Sequence, residues 1–248
     1  MIVGVIPARY ASTRFPGKPL VYLGGMSILE RCYRQCLKAQ SLERVIIATD
    51  DKKIFDHAMD FGAEVVMTNA DHPSGTDRVA EAIADLDEVE IVINIQGDEP
   101  FIHPQQIDQL ATALQSSSQY EIATLAGVIS DFRHLQDPNK VKVVMNEEGG
   151  ALYFSRSAIP YFRQKPVEQW LDGHQYYQHV GLYGFRRQTL LNITRMPLGK
   201  LEQIESLEQL RWLEAGIPIH VSITAFENIG IDTPEDLELA KLKLSNLL

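Results

Sequence analysis

The sequence is poor in cysteine, in long apolar runs and in positive charge, and each shortage excludes something. Of 248 residues only Cys32 and Cys36 are cysteines. They stand four apart on an expected helix, with no other Cys or His at ligand spacing. They therefore read as small helix residues, at least one of them buried, and not as a zinc or redox pair. No apolar stretch approaches the roughly 20 residues that cross a bilayer. The opening run Met1-Ile2-Val3-Gly4-Val5-Ile6-Pro7 is short and has no basic region ahead of it. A cytoplasmic protein without a membrane partner is the expectation. Lys and Arg total 23 against 33 Asp and Glu, a net charge of −10, which disfavours a nucleic-acid backbone as partner. A small polyanion would need a local basic cluster. Neither the Walker A pattern nor the G-x-G-x-x-G dinucleotide fingerprint occurs, which counts against ATP hydrolysis and NAD redox chemistry.

What is present is an α/β pattern. Hydrophobic residues make up 45% of the chain, enough to bury a core, and the length suits one domain spanning 1–248. Strand signals at 2–6, 44–49, 63–67 and 90–95 alternate with helix signals in the first half (1–130). These are a helix opened by Ser27 with Glu30 three residues on, one capped by Asp50 or Asp51 and running to Phe61, and one over 77–86. Repeated βα units imply a mostly parallel sheet with helices on both faces, and ligands in such folds sit beyond the carboxyl ends of the strands. The second half (131–248) is less regular. A hairpin is expected from 140–145 and 151–155, a long functional loop over 161–178, strands at 180–185 and 217–223, and a helix over 202–214. A last helix should be capped at Thr233 with Pro234 at its first position.

The chemistry concentrates after the first strand. Arg9, Arg14 and Lys18 lie within ten residues of an otherwise acidic chain, among prolines and small residues. Fixed cations and outward backbone amides at a strand end suit a triphosphate, although a solvated basic loop has the same composition. Gln96-Gly97-Asp98-Glu99-Pro100 follows the fourth strand on the same sheet edge, where a carboxylate can hold Mg²⁺ or simply close a turn. Asp232 offers a second carboxylate beside Thr233, which already fills the capping role. Ser74-Gly75-Thr76-Asp77-Arg78 reads unaided as a helix N-terminus.

Ordered blocks from the first strand to the last helix resemble the 3-deoxy-manno-octulosonate cytidylyltransferases (CMP-KDO synthetases). They are Ile6-Pro7-Ala8-Arg9-Tyr10-Ala11-Ser12-Thr13-Arg14-Phe15-Pro16-Gly17-Lys18-Pro19-Leu20, Ser74-Gly75-Thr76-Asp77-Arg78, Asn94-Ile95-Gln96-Gly97-Asp98-Glu99-Pro100, Tyr153-Phe154-Ser155-Arg156, His179-Val180-Gly181-Leu182-Tyr183-Gly184-Phe185, Leu207-Glu208-Gln209-Leu210-Arg211 and Gly230-Ile231-Asp232-Thr233-Pro234. Phe15, Gln178 and Val180 are mild departures. The resemblance implies a Rossmann-like nucleotide-diphospho-sugar transferase fold with a small hairpin excursion used for dimerisation. It implies transfer of CMP from CTP to the acid sugar KDO, which activates KDO for lipopolysaccharide synthesis; an amino-substituted KDO or sialic acid is the alternative acceptor. It further implies Mg²⁺ on Asp98 and Asp232, with Arg9, Lys18, Asp98 and Asp232 as the catalytic set. The nucleotide would be held by Ala8, Arg9, Ser12, Arg14, Lys18, Ser74, Arg78, Gln96 and Asp98, and the sugar by Arg156, His179, Tyr183, Glu208 and Gln209. A homodimer is implied as well.

Overall fold

A computed structural model describes residues 1–11, 15–227 and 230–245. Among these residues the main sheet has nine strands. β1 (Ile2–Ala8) is buried almost throughout, as its unbroken apolar sequence requires of a strand covered on both faces. It pairs in parallel with β4 (Arg44–Thr49) on one side and β6 (Ile91–Asn94) on the other. β5 (Glu64–Met67) extends the parallel part beyond β4. On the far side of β6 the direction reverses. β10 (Tyr177–Arg186) runs antiparallel to β6 and to β7 (Ile122–Val128), and β11 (Ile219–Ile223) lies parallel to β7. β8 (Lys142–Met145) and β9 (Ala151–Ser155) form the expected hairpin, joined to the start of β10 through β8. A two-stranded ribbon, β2 (Tyr22–Leu23) and β3 (Met26–Ser27), stands apart.

Helices cover both faces. On one face α1 (Ile28–Cys36), α2 (Lys52–Asp60) and α4 (Pro104–Ser116) pack on Ile6, Ile47, Ile93 and Leu125. On the other, α3 (Gly75–Ala82), α6 (Arg187–Ile193) and α8 (Gln209–Glu214) pack on Val3, Val5, Val92 and Phe185. Both cysteines are buried and unoxidised on α1. Short α5 (Phe132–Gln136) opens the excursion, whose own small core is Ile129, Leu135, Trp170 and Tyr176. Residues 161–178, expected to be a loop, include a 3₁₀ turn at Val167–Asp172 that seats Trp170, and then enter β10.

Three outcomes differ from the expectation. β7 and α4 carry no signal in the alternating pattern read from the first half, yet β7 joins β11 to β10 and α4 covers one face of the sheet. The helix expected over 202–214 is two: α7 (Lys200–Glu205) and α8 meet at Ser206, whose left-handed φ of 52° stops the first. The apolar spacing of Ile204, Leu207 and Leu210 runs across the break and hides it, and Ile204 ends 79% exposed. At α1, Ser27 accepts from the Glu30 amide as expected, but the Glu30 carboxylate turns to Arg34. The last helix, α9 (Pro234–Ser245), starts as expected, with Thr233 accepting from the Asp236 amide and Asp236 accepting in return from the Thr233 amide.

Candidate active site

β1 and β6 are parallel neighbours, so the segments leaving their carboxyl ends emerge side by side. Gly97 lets them touch: a Cβ there would lie 3.2 Å from the Pro7 carbonyl oxygen and 3.2 Å from Ile6. The chain leaving β1 returns on itself where the Gly17 amide donates to the Tyr10 carbonyl at 3.0 Å. Gly17 takes a left-handed φ of 70°, which glycine adopts without steric cost, and aims Lys18 back at the sheet edge. The loop before α9 arrives from the other end of the chain, fastened by the Ile231 amide donating to the Asp98 carbonyl at 3.0 Å.

These three segments converge on one ammonium. Lys18 Nζ lies 2.5 Å from Asp98 Oδ2 and 3.0 Å from Asp232 Oδ1. Two carboxylates separated by 134 positions thus share a single cation locus, the lysine being only 12% exposed. The donor set fits Mg²⁺, a hard ion that binds one or two carboxylates and takes its remaining ligands from phosphate and water.

A cavity of about 290 Å³ opens beside this cluster, with Ala8, Arg9, Lys18, Gln96, Asp98 and Asp232 on one side and Ser74 and Arg78 on the other. Ser74 caps α3 by accepting from the Asp77 amide. Arg78 is buried, donating to Thr68 and paired with Asp50 at 3.3 Å. Gln96 Nε2 donates to the Gly181 carbonyl at 3.3 Å. His72 and Pro73 also line the cavity. No motif or spacing marks them in advance, because they reach the site only through the loop ahead of the α3 cap. Ser12 and Arg14, expected on the triphosphate, lie outside the described residues.

The residues expected on the sugar divide into two groups. Glu208 stands at the start of α8, not on a solvated helix face. It accepts from Ser74 Oγ at 3.0 Å and from Thr76 Oγ1 at 2.6 Å, which ties α8 to the α3 cap and so to the cavity wall. Burial pushes its carboxyl up, with those two hydroxyls opposing. Tyr183 is buried and pushed up by desolvation and then by Glu208. His179 meets Tyr183 at 5.3 Å and Phe154 at 5.0 Å between ring centres, and its Nε2 is 3.0 Å from Thr124 Oγ1. Loss of solvent draws the imidazole down to about 3, so it is neutral near pH 7. Gln209 is buried beside Glu208. Arg156 does not join this group. Its guanidinium donates to three backbone carbonyls, of Glu205 at 2.7 Å, Pro138 at 3.0 Å and Ser206 at 3.3 Å.

Fold and site together define an α/β nucleotide-binding protein whose lysine–dicarboxylate cluster lies at the carboxyl edge of a mostly parallel sheet. The family model described as cytidylyltransferase matches residues 3–228, and the chain belongs to that family. It is 50% identical over 249 aligned residues to a 3-deoxy-manno-octulosonate cytidylyltransferase of Parabacteroides distasonis, covering 98% of each chain. A relative of the same name from Thermodesulfovibrio yellowstonii is 46% identical, covering 96% of this chain and 95% of its own. A solved CMP:2-keto-3-deoxy-manno-octonic acid synthetase complexed with CTP superposes with a TM-score of 0.93 at 39% identity, covering 100% of this chain and 99% of that one.

Proposed function

We propose that this protein transfers CMP from CTP to KDO, releasing pyrophosphate and yielding the activated sugar used for lipopolysaccharide. The convergence of Lys18, Asp98 and Asp232 on one locus beside the cavity carries the reading, because two carboxylates there can hold a divalent cation, and with it and the lysine the positive charge a triphosphate needs. Arg9 and Lys18 would neutralise the phosphate oxygens, while the cavity wall from Ser74 to Arg78 encloses the nucleoside. The anomeric hydroxyl of KDO attacks the α-phosphorus, the bond to the pyrophosphate oxygen breaks, and the hydroxyl proton passes to solvent. Catalysis then rests on positioning and charge neutralisation. Asp98 and Asp232 would hold Mg²⁺, which supplies positive charge to the phosphates and lowers the pKa of a hydroxyl beside it.

Tyr183, Glu208, Gln209 and His179 form the wall assigned to the sugar. Arg156 serves that wall indirectly, by holding the Ser206 break from which α8 starts. Homodimerisation through the irregular second half belongs to the same reading. Leu152 and Tyr161 are 62% and 77% exposed there, and light scattering on the purified protein tests it.

Function is tested by incubating the protein with CTP, Mg²⁺ and a panel of acid sugars and measuring pyrophosphate. Release with KDO above that with sialic acid or an amino-substituted KDO is expected; release with none of them would refute the reading.

A further inference from the structure

Asn94 closes β6 between two partners, Val5 of β1 and Tyr183 of β10. It is 3% exposed, yet its Oδ1 has no hydrogen-bond partner. The alternation of β6 places its side chain on the same sheet face as Val92, which α3 and α8 cover. Two more buried atoms on that face lack a hydrogen bond of ordinary geometry: Tyr183 Oη, in a residue 8% exposed, whose polar side-chain neighbour is Thr124, and Gln209 Nε2, in one 5% exposed. They belong to one wall. Tyr183 is the cross-strand neighbour of Asn94, and its ring meets Trp212 of α8 at 5.3 Å. Gln209 precedes Trp212 by three positions on the same helix, so the two share a helix face. Glu208, next to Gln209, reaches Ser74 on the rim of the nucleotide cavity.

Buried polar atoms are almost always paired, because an unpaired one costs stability. Three in one wall mark a surface completed by a ligand. The set alternates acceptor, hydroxyl and donor, which matches neighbouring hydroxyls, each able to give and take one hydrogen bond.

We propose that Asn94 is a specificity-determining residue that reads a hydroxyl of the acid sugar, together with Tyr183 and Gln209. The inference rests on the transferase reading above and adds a residue to it. It is tested with Asn94→Ala, which removes the orphaned carboxamide oxygen without overfilling a buried site. The KM for KDO should rise roughly tenfold or more, the worth of one hydrogen bond in a desolvated site. The KM for CTP should stay within about twofold, and the melting temperature of the ligand-free protein should stay within a few degrees, since no hydrogen bond to Oδ1 is lost. An unchanged KM for KDO overturns the inference. So does a variant that melts well below the wild type or fails to fold, because Asn94 would then have a structural partner. If the wild type releases no pyrophosphate with KDO, the function itself fails. Calorimetric titration of KDO into both proteins would then still judge Asn94, equal affinities counting against it.

Discussion

Lys18 is held by two carboxylates that come from the ends of different elements, so the triad carries a net negative charge that a divalent cation would balance. Asp98→Asn keeps the shape and removes one anion. Turnover should fall by roughly two to three orders of magnitude, as when a preorganised electrostatic contact is lost. Circular dichroism and melting temperature should be close to wild type, and near-normal pyrophosphate release would remove Asp98 from the chemistry. His179 makes a separate claim through its acidity. Its value in the folded protein, about 3, lies below the ordinary 6.5. The unfolded chain therefore takes up the proton first, and this residue's contribution to stability is whole above pH 6.5 and lost as pH falls towards 3. Glu208, pushed up by burial, acts in the opposite sense but is common to wild type and a His179→Gln variant. The drop in melting temperature between pH 7 and pH 4 should be smaller in His179→Gln; an equal drop would mean that the imidazole is not desolvated.

Among the elements, two junctions decide where side chains arrive. The turn after β6 passes so close to β1 that a methyl at Gly97 meets the Pro7 carbonyl, which belongs to the sheet and cannot move aside. Gly97→Ala should shift Asp98 away from Lys18. Turnover is expected to fall by about tenfold or more with little change in melting temperature; full activity would show that the turn has slack. The Ser206 break is the second junction. Arg156 holds it from β9 through the carbonyls of Glu205 and Ser206, and Glu205 in turn accepts from Ser155 Oγ and the Arg156 amide. Arg156→Ala removes the donor from these partly exposed carbonyls, at a cost of about 0.5–1.5 kcal/mol. A lower melting temperature together with a raised KM for KDO is expected, since α8 carries Glu208 and Gln209. A raised KM with unchanged stability would instead assign Arg156 directly to the sugar carboxylate.

At the scale of the whole molecule, the parallel half of the sheet was legible because its strands are apolar runs separated by capped helices. The sheet edge that bears the site followed from that pattern. The order β11-β7-β10-β6 was not legible, because β10 sits between β6 and β7 through pairings far apart in sequence, which no local periodicity encodes. The basic turn and the turn after β6 could be placed together on chemical grounds. Asp232 was tied to them only by resemblance, because nothing near position 232 shows that its loop returns to Asp98. Asn94 was passed over for a physical reason: it lies inside the strand expected at 90–95, and no spacing tells that its side-chain oxygen is buried without a partner. The account as a whole depends on a lysine and two carboxylates gathered at one sheet edge activating CTP for attack by an acid sugar. The most direct test is initial-rate pyrophosphate release from CTP and Mg²⁺, with and without KDO, for wild type and for Asp98→Asn combined with Asp232→Asn. The account predicts KDO-dependent release by the wild type and near-background release by the double variant. Undiminished release by the double variant would contradict it.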